Sequence, residues 1–206
     1  MNVSDKIRIL GESAQYDICA ACGTSASRVR SPMGRWIYPS SLPDGRTVLL
    51  FKVLMTNSCK NDCFYCVNRR GGNSQRVSFK PEELASLFMN LYRERRASGL
   101  FLSSAVSSST ARTMEDMIKT VEVLRERYQF PGYVHLKILP GAGFDYVERA
   151  VEIASRVSLN LEAPTSEHLK RIARNKDFEK DILLRMKWVK SLASSQPNKL
   201  KAGQTT

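Results

Sequence analysis

Long apolar runs are missing from this sequence: no stretch of its 206 residues approaches the ~20 consecutive apolar positions that span a bilayer. The N-terminus, MNVSDKIRILGES, also lacks the apolar centre of a secretion signal. A cytoplasmic location without a membrane partner is the expectation. Acidic residues are scarce as well: 20 Asp plus Glu stand against 32 Lys plus Arg, a formal charge of +12. Such a balance favours polyanionic partners, nucleic acid first and an anionic membrane surface second. The basic residues are spread along the chain, so a merely solvated basic surface explains the charge equally well. Finally, a second cysteine cluster is absent. Of five cysteines, three crowd into the eight residues Cys59–Cys66, and nothing comparable follows. In a reducing compartment such thiols indicate metal or catalysis more than disulfides.

What is present reads as alternating strands and helices. Residues 1–47 look like an N-terminal extension, with a helix at SDKIRIL capped by Ser4 and turn chemistry in YPSSLPDGRT. From Val48 a pattern repeats. VLLFKVLMT is a near-continuous apolar run, as expected of a buried parallel strand. Pro81 and two glutamates then open a helix through Leu84, Leu87, Phe88, Leu91 and Tyr92. LFLSS is a second strand, and Thr113 to Asp116 reads as a capping box for the helix after it. YVHLKIL and VSLNLE are the third and fourth strands, each followed by helical segments. Four strand–helix units argue for an α/β fold with a parallel sheet.

Alternation chooses between sheet types. In the third strand Val134, Leu136 and Ile138 share one face while His135 and Lys137 share the other; in the fourth, Leu159 and Leu161 oppose Ser158, Asn160 and Glu162. A sheet covered by helices on both faces should not carry a polar row. A barrel can, because its inner face lines a mouth. The fold class expected is α/β, a partial barrel of about four βα units over residues 48–206.

Cys59, Cys63 and Cys66 fall just beyond the C-terminal end of the first of these strands, the edge where barrels place their chemistry. A structural zinc site wants four ligands, usually from two separated knuckles. Three thiolates on a [4Fe–4S] cluster instead leave one iron free for a substrate or cofactor. Zinc completed by Cys19 or Cys22 is the competing reading, and would make the protein a zinc-stabilised nucleic-acid-binding module without catalysis.

The spacing Cys-x3-Cys-x2-Cys, with Tyr65 before the last cysteine, resembles the radical S-adenosylmethionine (radical SAM) superfamily. The resemblance implies a (β/α)6-type barrel in which a [4Fe–4S] cluster on Cys59, Cys63 and Cys66 binds SAM through its open iron. One electron would then cleave SAM to methionine and a 5′-deoxyadenosyl radical, with Tyr65 against the adenine. An electron donor such as a flavodoxin or ferredoxin is implied as a partner. The superfamily's Gly-Gly-Glu-like stretch is replaced by Ser103, Ser104 and Ala105, so that hydroxyls or carbonyls would meet the SAM amino group; a small-residue turn is the alternative. Asn160 and Glu162 match positions that contact the SAM ribose and carboxylate, although Glu162 could instead pair with Lys137.

The segments KIRILGESAQYDICAACGTS, GLFLSSAV, LKILPGAG, LNLEAP and KAGQTT are similar to one subgroup, the radical SAM proteins of DNA modification or repair. That likeness implies nucleic acid as substrate, with a peptide or small metabolite as the alternative. It also implies a longer polypeptide. By that measure this chain stops where a fifth strand should begin, and weak or no activity is expected of it alone. LPGAGFDYVERA imitates half of a helix–hairpin–helix motif, but the alternating residues before it favour a strand-to-helix loop. Arg69 and Arg70 could meet phosphate or simply be solvated. His135 could line the interior or be a hydrogen-bonded core residue. Cys19 and Cys22 could be a redox pair, half a metal site or incidental.

Overall fold

The structure is a computed structural model that describes residues 2–14, 36–41, 45–195 and 204–205. Cys19 and Cys22 lie outside them. Strand β2, Thr47–Leu54, is the apolar run expected after the turn. Parallel to it lie β3 (Gly99–Ser103), β4 (Tyr133–Lys137) and β5 (Arg156–Ser158), in chain order. Between them run α2 (Pro81–Arg93), α3 (Thr110–Glu122) and α4 (Phe144–Ile153). Helices α5 (Ser166–Ile172) and α6 (Leu184–Ser195) follow, and Gln204–Thr205 pair with β5 in parallel as β6. The segment LPGAGFDYVERA is the β4–α4 loop and α4 itself, a strand-to-helix connection.

Two elements come from the segment read as an extension. Helix α1 spans Val3–Ala14, and β1, Ile37–Ser41, pairs antiparallel with β2. Helix α1 comes close to Trp36, the residue before β1, at Gly11, where an added Cβ would stand 2.9 Å from the Trp36 Cβ. The cap of α1 differs from expectation. Asn2, not Ser4, accepts the backbone N–H of Asp5, and Ser4 sits inside the helix. Likewise Ser109, not Thr113, caps α3 by accepting the Arg112 N–H. Thr113 turns its hydroxyl back to the Ser109 carbonyl at 2.8 Å, a local bond that a capping-box pattern cannot be told from by spacing alone.

The alternation in the strands has the expected meaning. Val134, Leu136 and Ile138 join Phe51, Val53, Leu100 and Leu102 in the main core with the helices. An aromatic seam fastens α2 there: the Phe130 ring meets Phe88 edge-on at 5.0 Å and Tyr92 at 4.9 Å. Arg125 closes the end of α3, donating to the carbonyls of Phe130, Gly132 and Ile153. The opposite face of the sheet carries Lys52, Phe101, His135 and Arg156, which the register sets side by side on β2 to β5. This inner face, where polar residues alternate with an apolar cluster of Val48, Leu50 and Phe101, and the helix-covered outer face make a partial barrel, as the sequence predicts. Among the described residues no helix is long and apolar enough to cross a membrane.

Candidate cofactor site at the C-terminal edge of the sheet

Where β2 ends, the chain stays in register with β3 for several more residues. The Met55 N–H donates to the Ser103 carbonyl at 2.8 Å, Ala105 N–H to Thr56 and Lys60 N–H to Val106. The cysteine loop therefore starts on a sheet extension, not on a free coil. Its return is held by two side chains. Asn57 bridges to Gln75 and Val77 through both ends of its amide. The Arg76 guanidinium reaches four carbonyls, those of Asn57, Asn68, Arg69 and Gly72. Gly71 makes the hairpin possible with a φ of +78°.

This scaffold places Cys59, Cys63 and Cys66 around one cavity of about 200 Å³. The same cavity is lined by Tyr65 from the loop, by Ser103 and Ser104 after β3, by Lys137 at the end of β4, and by Asn160 and Glu162 after β5. The eight candidate cluster and SAM residues named from the sequence, Cys59, Cys63, Tyr65, Cys66, Ser103, Ser104, Asn160 and Glu162, thus line one space. Burial pushes the Cys66 thiol above its usual range, and the Cys59 and Cys63 sulfurs add to that; the backbone at Asn68 and the Lys176 ammonium pull the other way. The Asn68 side-chain oxygen is buried and without a hydrogen-bond partner on the same wall.

The polar far wall is organised by a residue that sequence reasoning missed. Lys176 donates to Glu162 at 2.9 Å, with both side chains close to fully buried, and to the Tyr65 hydroxyl at 3.3 Å. Tyr65 donates its own O–H to the second Glu162 oxygen. Burial, and then the Glu162 carboxylate, hold that phenol far above its ordinary range. Burial alone would lower the Lys176 ammonium, but Glu162 and Cys63 outweigh it and raise it. The alternative pairing of Glu162 with Lys137 is therefore not the one formed. Lys137 donates instead to the Asn160 amide oxygen at 2.5 Å. Strand β5 ends at Ser158, and Glu162 adopts a left-handed φ of +66°, which turns its carboxylate toward Lys176. Nothing in the run ARNKDFEK marks Lys176 out; only the fold brings it across.

The remaining candidates fall elsewhere. His135 is a hydrogen-bonded core histidine: it is 1% exposed, lies edge-on to Phe101 at 4.6 Å and shares a 2.8 Å hydrogen bond with the Ser158 hydroxyl. Arg69 is exposed and donates to the Phe64 carbonyl, and Arg70 is exposed beside it. The Ser104 hydroxyl is turned to the Ala105 carbonyl, so its oxygen is what remains for a ligand. Among the described residues no three His, Cys, Asp or Glu side chains converge on one point that would hold a single metal ion.

The family model for the Radical SAM superfamily matches residues 53–193, which contain the cysteine loop and all of the cavity wall except Ser13. The chain belongs to the radical SAM superfamily. No curated protein sequence matches it. Among solved structures, this radical SAM chain is similar to a crystal structure of HydG, a maturase of the [FeFe]-hydrogenase, at 14% identity and a TM-score of 0.56. It is also similar to HydG from Carboxydothermus hydrogenoformans, at 18% identity and a TM-score of 0.56. Each alignment covers 68% of this chain and 32% of the HydG chain. Methylornithine synthase (PylB) aligns at 14% identity and a TM-score of 0.57, over 68% of this chain and 40% of its own. The chain thus spans about a third of the length of these HydG structures. At such identities the likeness speaks for the fold. The superfamily is one of enzymes, and membership implies a [4Fe–4S] cluster and SAM, which the three thiols and the polar wall fit.

Proposed function

We propose that this radical SAM chain cleaves SAM reductively in order to modify or repair nucleic acid. The observation that carries the reading is that three thiols and a polar wall line one cavity at the C-terminal edge of the sheet. Cys59, Cys63 and Cys66 are the residues that would hold the cluster, which supplies an electron to SAM when bound and so generates a 5′-deoxyadenosyl radical.

The chain's own part is positional. Tyr65, half exposed and fixed by Glu162, offers a ring face to the adenine side of SAM. Ser103, Ser104 and the carbonyls around them offer oxygen acceptors to its amino group. Asn160 and Glu162 face the cavity with their polar ends already oriented by Lys137 and Lys176, so little ordering remains to be done on binding. Apolar side chains such as Leu54, Val106 and Leu139 line the same cavity and restrict water there.

Charge supports the choice of nucleic acid as substrate. The chain carries +12. The subgroup likeness of the sequence points the same way. A redox partner such as a flavodoxin or ferredoxin would deliver the electron. The test is to incubate the reconstituted full chain with SAM and a reductant, and to quantify 5′-deoxyadenosine with and without single- and double-stranded DNA and RNA. Stimulation by one nucleic acid that fades as salt rises supports the proposal, because phosphate contacts release counterions. Stimulation by a peptide or small metabolite alone would move the substrate class.

A further inference from the structure

Phe64 stands between two cluster cysteines, yet it belongs neither to the core nor to the cavity. Its side chain is 50% exposed, on a backbone pinned from both sides. Its N–H donates to the Ile172 carbonyl at 2.8 Å, and its carbonyl accepts from the Arg69 guanidinium at 3.0 Å. An aromatic ring held out in water by a fixed backbone forgoes burial free energy that turning inward would have supplied. Arg174 lies over this ring, its guanidinium carbon 5.3 Å from the centroid.

The surroundings are rich in cations. The segment 168–176, which the Phe64 N–H ties to the cysteine loop, contains Lys170, Arg171, Arg174 and Lys176; Arg171 pairs with Glu167 and Lys176 with Glu162, while Lys170 and Arg174 are exposed. The loop itself adds exposed Lys60, Arg69 and Arg70 against one acid, Asp62. A flat ring paired with a guanidinium and edged by cations combines a stacking face with phosphate contacts. The exposed apolar side chains of the loop, Phe64, Tyr65 and Val67, are too few to make the core of a stable protein–protein interface, which buries about 800 Å² per partner.

We propose that Phe64 and Arg174 form a stacking platform that receives an unpaired base of a single-stranded nucleic acid at the rim of the cysteine cavity. The proposal rests on nucleic acid being the substrate and adds where and in what form it docks. Duplex DNA, whose bases are stacked on each other, offers no free face to this ring; a single strand does.

The experiment is fluorescence anisotropy of the full chain with a labelled oligothymidine and with a labelled duplex of equal length, at two salt concentrations. Phe64→Ala should weaken single-strand binding roughly 5- to 140-fold, the range of one lost base–aromatic stack. Phe64→Trp should restore it. Arg174→Ala, outside the cysteine loop, should weaken it several-fold with an unchanged melting temperature. Single-strand affinity unchanged in both Phe64→Ala and Arg174→Ala would overturn the platform while leaving nucleic acid as substrate. A wild-type chain that binds duplex as tightly as single strand would also overturn it. A wild-type chain that binds neither would sink the substrate reading and the platform together. Binding of an acidic flavoprotein that is lost in Phe64→Ala while oligothymidine binding persists would reassign the surface to a protein partner.

Discussion

Lys176→Met offers the sharpest test of how the polar wall is built. The substitution keeps much of the side-chain volume and removes the ammonium. It leaves Glu162 buried, with Tyr65 as its remaining donor among the partners seen here. Breaking a well-buried ion pair by removing one partner costs about 3–5 kcal/mol. The Lys176 and Glu162 side chains are 8% and 11% exposed, but they border a cavity, so the low end, about 3 kcal/mol, applies. For a chain of this size 1 kcal/mol shifts the melting temperature by roughly 2–4 °C, which predicts a fall of about 6–12 °C. Glu162→Gln added to Lys176→Met should recover most of the loss, since it removes the stranded charge. The assay is thermal unfolding of the three variants and wild type under identical anaerobic conditions. A Lys176→Met variant within about 0.5 kcal/mol of wild type, the scatter of ordinary surface changes, would refute the wall as described.

Two further outcomes follow from particular side chains. Arg76→Leu strips four carbonyls of their shared donor and should cost about 2–4 kcal/mol, given that bonds to a charged group contribute about 1.5–3 kcal/mol each and do not add fully. Unfolding measures that cost, and iron content after reconstitution should fall with it. Burial raises the folded-state carboxyl of Asp116, outweighing the nearby Arg112. A raised pKa means stability that is complete below the unfolded carboxylate range and is lost as pH rises through the folded value. Asp116→Asn should therefore melt higher than wild type at neutral pH, and the difference should close as pH falls below the carboxylate range.

How much of this was legible in the sequence depends on whether the signal is local. The outward-facing Val134, Leu136 and Ile138 and the inward-facing His135 and Lys137 are read directly from alternation, because a strand's period of two admits no other arrangement. The cysteine spacing and its place after a strand are equally local. Strand β1 was hidden because Ile37–Ser41 contains Pro39 and two serines, a composition that reads as turn; as an edge strand it tolerates the proline. Strand β6 was hidden because Gln204–Thr205 has no apolar pattern of its own and is defined by its pairing with β5.

The site shows the same division. Cys59, Cys63, Cys66, Tyr65, Ser103, Ser104, Asn160 and Glu162 were named from the sequence, and all eight line the cavity. Their mutual partners were not. Lys137 is an alternative partner for Glu162 by their expected places inside one barrel, but the left-handed turn at Glu162 aims the carboxylate at Lys176. A contact made by a backbone reversal has no periodic signature. Arg76 was overlooked for a related reason, since a guanidinium that binds carbonyls leaves no motif among the residues it serves.

The central claim is that the three thiols hold a [4Fe–4S] cluster with one iron open to SAM. The most direct test is EPR of the reduced full chain, reconstituted anaerobically with iron and sulfide, recorded with and without SAM. The account predicts a [4Fe–4S] signal whose g-values shift on adding SAM, and which is absent from the triple Cys59, Cys63 and Cys66→Ala variant. A colourless protein carrying stoichiometric zinc, or a cluster signal that ignores SAM, would contradict it.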